Sequence, residues 1–187
     1  MFRNLHPVAR NAPLNAAQIE VLAKANQLAG NGNPGDAAPL FAELARELDV
    51  QRPRQAANLH ARAAHVYADA GNAQSALMQA RTGLSMFIQY RMVDRSPMFY
   101  ANITRKFNNK SMKGAATAIQ NEFGGRVGSL PSQTQSPARL AARRGTLPTN
   151  CPKCGGPVHV DDVSWMDNQT VECEYCGTAI RVTVNKQ

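Results

Sequence analysis

The sequence predicts a multidomain protein in which antiparallel helical hairpins form most of the chain and a small β unit lies at the C-terminal end. Apolar residues recur at helical spacing between residues 15 and 123. Residues 124–149 are rich in Gly, Ser, Pro, Gln and Arg without a sustained apolar period, and all four cysteines lie in the last 37 of 187 residues. We therefore expect an N-terminal tail (1–14), a helical domain (15–123), a flexible basic linker (124–149) and a cysteine-containing domain (150–187).

The helical domain is expected to contain about six helices. Leu59, Ala63, Val66 and Ala70 follow one another at the helical period, and three further stripes of the same kind occur between residues 37 and 123. Turn-forming residues separate the stripes at Gly30–Gly35, Pro53, Gly71-Asn72 and Ser96-Pro97. Because these connections are short, neighbouring helices should run antiparallel.

The helices repeat at an interval of 39 residues. Five positions separated by 3, 4, 5 and 4 residues occur twice: Ala25, Leu28, Gly32, Ala37 and Phe41 in the first pair, and Ala64, Tyr67, Gly71, Ala76 and Ala80 in the second. Small residues allow two helices to approach closely, and Gly closes the turn between them. The pattern resembles the tetratricopeptide repeat, most closely at Tyr67, Gly71 and Ala76.

This resemblance implies a small α-solenoid of three helical hairpins, in which Ala76 is packed between neighbouring helices. In the third pair Phe107 and Ala116 are nine residues apart, like Tyr67 and Ala76, but Ser111 stands where the other pairs have Gly. The interval exceeds the roughly 34 residues of the family, and five extra residues before the second pair explain the difference. An ordinary helical bundle with alanine-rich contacts is the alternative.

Two Cys-x-x-Cys pairs form the strongest chemical signal in the sequence. Cys151 and Cys154 are followed, after 18 intervening residues, by Cys173 and Cys176. A two-residue gap lets a tight turn direct both sulfurs at one point, and four thiolates complete a tetrahedral Zn²⁺ site without an open position. We expect one structural zinc ion per chain, held by these four cysteines, to stabilise a unit too small to fold by burial alone. Two disulfides or a rubredoxin-like iron centre are the alternatives.

Strand-favouring residues around the cysteine pairs predict a small antiparallel sheet. These residues occupy positions 158–165, 170–173 and 179–184, and residues 166–169 supply a hairpin turn. Together with the two Cys-x-x-Cys-Gly segments, residues 150–185 resemble a zinc ribbon. We expect Trp165 and Tyr175 to cover its small core, and His159 to be a strand side chain rather than a metal ligand.

Positive charge is concentrated outside the cysteine-containing domain. The net charge of +8 divides into +6 for residues 1–123, +4 for residues 124–149 and −2 for residues 150–187. Four thiolates and one Zn²⁺ change the last value to −4, so this domain should repel phosphates. Seven cations of the helical domain form either a solvated helix face or a site for an acidic partner. Asp94 is the one acidic residue between residues 81 and 113, the stretch that contains these cations. The seven are Arg81, Arg91, Arg95, Arg105, Lys106, Lys110 and Lys113.

No enzyme motif occurs: the sequence has neither a recognisable nucleophile motif, nor a phosphate-binding glycine loop, nor a His-Glu metal motif. It has no apolar run of membrane-spanning length and no signal-peptide order at its N-terminus. We expect a cytoplasmic, non-catalytic adaptor for protein–protein interaction or assembly, whose helical groove holds a partner segment. A nucleic-acid-associated factor, binding weakly through the basic helices and linker, is the alternative. The linker should let the two domains tumble semi-independently.

Overall fold

The apolar stripes of the sequence form six α-helices in a computed structural model of the chain, which describes residues 13–128, 146–159, 163–167 and 169–183. The helices of this described part are α1 (Ala16–Gly30), α2 (Pro34–Leu48), α3 (Pro53–Asp69), α4 (Ala73–Gln89), α5 (Arg95–Asn109) and α6 (Lys113–Gly128). Each helix packs against the next, and α3 also contacts α5 while α4 contacts α6. The helices therefore form one packed helical array. None of the described helices is long and apolar enough to cross a membrane.

The same backbone turn ends four of the helices. At the end of α3, the Asn72 N–H donates to the Tyr67 carbonyl at 3.0 Å, and the Gly71 N–H donates to the Ala68 carbonyl at 3.2 Å. These are the paired bonds of a Schellman motif, which requires a left-handed residue. Equivalent residues end α1, α3, α4 and α5: Gly32 (φ +81°), Gly71 (φ +78°), Arg91 (φ +52°) and Ser111 (φ +59°). The three hairpin turns at Gly32, Gly71 and Ser111 thus repeat every 39 or 40 residues.

Small residues bring the helices of the array close together. Ala76 has no exposed surface, as expected for a residue packed between helices. In the middle of α4, a Cβ on Gly83 would lie 3.3 Å from the backbone nitrogen of Ala61 in α3. The remaining space is filled by large side chains that are fully buried, among them Phe41, Phe87 and Phe107.

Three short strands form an antiparallel sheet in the described C-terminal residues. They are β1 (Ser164–Trp165), β2 (Thr170–Glu172) and β3 (Ala179–Arg181), hydrogen-bonded in that order. Trp165 pairs with Val171, so the chain reverses direction between β1 and β2, where the hairpin turn is predicted. Of the strand predicted over residues 158–165, Ser164 and Trp165 form β1. Val158 lies outside the sheet, since its N–H donates to the Thr149 carbonyl at 2.8 Å, and His159 belongs to no strand. The prediction that His159 is a strand side chain is therefore wrong.

The ends of the predicted linker belong to the two folded parts. Helix α6 continues five residues past the predicted boundary at residue 123, because Val127 is buried one turn after Phe123. On the other side, Thr146 pairs with Thr183, so the C-terminal unit includes residues 146–149. The rest of the predicted linker, residues 129–145, lies outside the described residues, as do residues 1–12 of the predicted tail.

Candidate metal centre

Each Cys-x-x-Cys-Gly segment folds into a tight knuckle. In the first knuckle (residues 151–156) the Gly155 N–H donates to the Cys151 carbonyl at 2.8 Å, and in the second (residues 173–178) the Gly177 N–H donates to the Cys173 carbonyl at 2.9 Å. Gly155 and Gly177 have φ of +70° and +72°, a left-handed conformation that side chains disfavour. The two knuckles therefore share one local geometry, which the Cys-x-x-Cys-Gly pattern itself explains.

The sulfurs of the four predicted cysteines meet at one buried point. The Cys151 Sγ lies 3.7 Å from the Cys176 Sγ, and the Cys154 Sγ lies 3.8 Å from the Cys173 Sγ. All four sulfurs lie within 4.8 Å of one another, and no cysteine is more than 2% exposed. A disulfide bond is about 2.05 Å long, so the four residues are free cysteines and the disulfide alternative is wrong.

The spacing of the sulfurs fits a tetrahedral metal ion. With metal–sulfur bonds of about 2.3 Å, the edge of a regular tetrahedron is about 3.8 Å. The two distances between the knuckles, 3.7 and 3.8 Å, match that edge. The four cysteines can therefore hold one metal ion, and Zn²⁺ is consistent with this donor set.

Proximity changes the acidity of the thiols. Hydrogen bonding, first with Cys154 and then with the other sulfurs, lowers the pKa of Cys151 far below its ordinary value. The same contacts, that with Cys151 first, raise the pKa of Cys154. Four negative thiolates at this spacing need a cation, and a cation that binds all four must displace the protons that remain.

Tyr175 closes one side of the sulfur cluster. Its side chain is 8% exposed. A Cβ on Gly156 would lie 2.9 Å from the Tyr175 Cδ2 and 3.3 Å from the Cys154 Sγ, so the backbone of Gly156 fills the space between ring and sulfur. Trp165 is partly buried against the same core. The packing role predicted for both aromatic residues is confirmed.

Both knuckles lie directly against the helical array. The Asn26 side chain on α1 donates to the Cys154 carbonyl at 3.0 Å, and the Asn58 side chain on α3 donates to the Glu174 carbonyl at 3.1 Å. The Leu14 N–H donates to the Cys176 carbonyl at 3.0 Å. Buried residues of the helices and the knuckles also form one continuous apolar cluster. The expectation that the two parts have no fixed relative orientation is therefore wrong.

Tertiary contacts neutralise much of the basic cluster predicted on the helices. Four of its seven cations form ion pairs with acids from other parts of the chain: Arg81 with Glu122, Lys106 and Lys110 with Asp69, and Arg95 with Glu174. The Lys106 Nζ, for example, lies 2.6 Å from an Asp69 carboxylate oxygen. These acidic residues lie outside residues 81–113, so the charges of that stretch alone do not reveal the pairing.

A cleft of about 150 Å³ lies where the knuckles meet α3, α4 and α5. Its lining includes Arg62, His65, Arg95 and His159, and His159 lies outside the sulfur cluster. Burial, followed by the positive charges of Lys106 and Arg62, lowers the pKa of His65 to about 4. His65 is therefore neutral near pH 7.

Sequence analysis missed the polar residues that receive the knuckles. Asn26, Gln55 and Asn58 are at most 9% exposed, although amide side chains usually face solvent. The available signal was in α3, where Ala56, Ala57 and Leu59 lie on several faces of one helix. Polar residues such as Gln55 and Asn58, however, stand among these apolar positions, so the sequence of α3 by itself does not show that the knuckles cover it.

Comparisons with known proteins do not assign the site. No protein-family model matches the chain, and no curated protein and no solved structure matches it either. Its chemistry is therefore defined by its own geometry, a buried set of four free cysteines at tetrahedral spacing.

Proposed function

We propose that the protein is a non-catalytic adaptor for protein–protein interaction or assembly, stabilised by one zinc ion at Cys151, Cys154, Cys173 and Cys176. One observation carries the proposal: the four-sulfur set is complete and buried, and both knuckles lie against helices of the same chain. A metal ion with four thiolate ligands has no open position for a substrate. The site then serves to hold the structure of the chain.

The residues around the sulfurs support this structural role. Zinc, when bound, supplies the bonds that join the two knuckles. The sheet has only two or three residues per strand, so its own buried area is small. The Thr178 Oγ1 lies 3.3 Å from the Cys176 Sγ, where its hydroxyl can donate to the thiolate and orient it.

We infer that the C-terminal unit is a zinc ribbon and that the helical array is a tetratricopeptide-like solenoid of three hairpins. The paired knuckles and the antiparallel sheet support the ribbon. The repeated Schellman turn supports the solenoid, as do buried alanines at the equivalent position of every hairpin: Ala37, Ala76 and Ala116.

The nucleic-acid alternative has less support than the adaptor. Four cations of the basic cluster already have carboxylate partners, and each partner weakens the attraction that a phosphate contact would use. The C-terminal unit carries more acidic than basic residues. An adaptor that binds proteins agrees better with this charge distribution.

Elemental analysis of the purified full chain tests the metal. We expect one zinc ion per chain, and loss of that zinc in Cys154→Ser, because three thiolates leave the tetrahedral site incomplete. Met166→Ser is the matched control, since Met166 is exposed in the turn between β1 and β2. A wild-type chain without metal, or with the red chromophore of iron, would contradict the zinc assignment.

Affinity capture with the immobilised full chain tests the adaptor role. We expect a defined set of proteins that survives nuclease treatment and a second capture under the same conditions. Loss of the captured material after nuclease treatment would favour the nucleic-acid alternative. A chain that captures no protein above the level of an unrelated bait would contradict the adaptor.

A further inference from the structure

The helical array supplies polar side chains to the outer surface of both knuckles. Asn26 bonds the carbonyl of Cys154 in the first knuckle, and Asn58 bonds the carbonyl of Glu174 in the second. Asn26 and Asn58 are 9% and 5% exposed. The Gln55 side chain also donates to the Tyr175 carbonyl, at 3.4 Å. Three amides on two helices thus bind backbone groups that exist at these positions only while the knuckles are folded.

A partly buried ion pair reinforces the second knuckle. Arg95 on α5 pairs with Glu174, and their side chains are 17% and 12% exposed. Glu174 lies between the two cysteines of its knuckle, so this ion pair and the Asn58 hydrogen bond hold the same residue. If the knuckle opened, the amide donors and the Arg95 charge would lose these partners, and the free energy that these contacts contribute would be lost with them.

We propose that α1 and α3 are the outer shell of the metal centre, and that metal binding and docking of the knuckles on the helices are thermodynamically coupled. Asn26 and Asn58 are positioning residues that hold the folded knuckles and thereby increase metal affinity. By linkage, the bound metal keeps the knuckle-facing surface of α1 and α3 covered to the same extent. This inference rests on the proposed structural metal site.

The size of the effect follows from the hydrogen bonds that are removed. Loss of one such bond typically changes an equilibrium about 5- to 10-fold. Asn26→Ala and Asn58→Ala should therefore each lower zinc affinity by about that factor, and the double variant should lower it by more than either one. Asn58→Asp should lower zinc affinity at least as much as Asn58→Ala does. It keeps the shape of the side chain but places an acceptor, instead of a donor, opposite the Glu174 carbonyl.

Zinc affinity of the full chain, measured by competition with a chromophoric chelator, tests the coupling. Asn109→Ala, at an exposed position that ends α5, is the control and should bind zinc like the wild type. Far-ultraviolet circular dichroism should show the same helix content in all variants. A wild type that takes up no metal overturns the proposed zinc site itself. A wild type that binds zinc, with Asn26→Ala and Asn58→Ala binding it equally well, overturns only the coupling.

Hydrogen exchange on the wild-type chain tests the reverse direction without any substitution. Removal of zinc by a chelator should accelerate exchange of α1 and α3 backbone amides, by about tenfold or more where the knuckles covered them. Helix α6, which packs on α4 and α5, should change little. Unchanged exchange in α1 and α3 after complete removal of zinc contradicts the proposal.

Discussion

Gly83 lies in the middle of α4, where that helix packs against α3, and its missing side chain sets how closely the two helices approach. A Cβ at this position would lie 3.3 Å from the backbone nitrogen of Ala61 and 3.5 Å from the backbone oxygen of Ala57. Both are backbone atoms of a helix, which cannot move aside as the end of a flexible side chain can. Gly83→Val should therefore push α3 and α4 apart.

Two opposing effects determine how much Gly83→Val changes the free energy of unfolding. Val is better than Gly in a helix interior by roughly 0.4 kcal/mol. Against this gain, each γ-methyl extends about 1.5 Å beyond the Cβ, and overpacking of this kind costs about 1–3 kcal/mol. We expect a net loss of about 1–2.5 kcal/mol in the free energy of unfolding, which lowers Tm by roughly 3–8 °C for a chain of this size.

Urea unfolding of the full chain, followed by circular dichroism, measures this loss. Gly125→Val on α6 is the matched control, because a Cβ at Gly125 meets no atom within 4 Å. The control should be neutral or slightly stabilised. Wild-type stability in Gly83→Val would refute the close approach of α3 and α4. Equal losses in Gly83→Val and Gly125→Val would show that valine itself, rather than the contact, is responsible.

Two further predictions concern the helical array. Burial, followed by the charges of Lys106 and Arg62, lowers the pKa of His65 from 6.5 to about 4. The unfolded chain binds this proton more readily, so about 3 kcal/mol of stability that is present above pH 6.5 is lost as the pH falls to about 4. Urea unfolding should show a smaller pH dependence in His65→Gln than in the wild type, and an equal dependence would contradict the shift. Ser111→Gly should raise Tm, because it removes the cost of roughly 0.5–1 kcal/mol that serine incurs in the left-handed conformation. Gly71→Ala should lower Tm for the same reason. Changes of the opposite sign would contradict the turn geometry.

Several features of the protein were predictable because they depend on residues close together in the chain. The six helices follow from apolar spacing within one or two turns, and Gly71 marks a turn whose left-handed geometry it adopts without strain. Each knuckle needs only a Cys-x-x-Cys-Gly segment of five residues. The meeting of the two knuckles follows from the chemistry of four thiols, since no other arrangement of Cys151, Cys154, Cys173 and Cys176 completes a tetrahedral site.

Only the tertiary structure decided where the knuckles lie and how the charges are paired. Asn26 is 128 residues from Cys154 in sequence, and Asn58 is 116 residues from Glu174, so neither hydrogen bond leaves a pattern in a local window. The pairing of Arg81 with Glu122 likewise spans 41 residues. An amide or cationic side chain on a helix can face solvent or bind a buried partner, and its residue type alone does not show which. The apolar period determines which helix face is buried, but polar side chains acquire their role only when a distant segment supplies the complementary group.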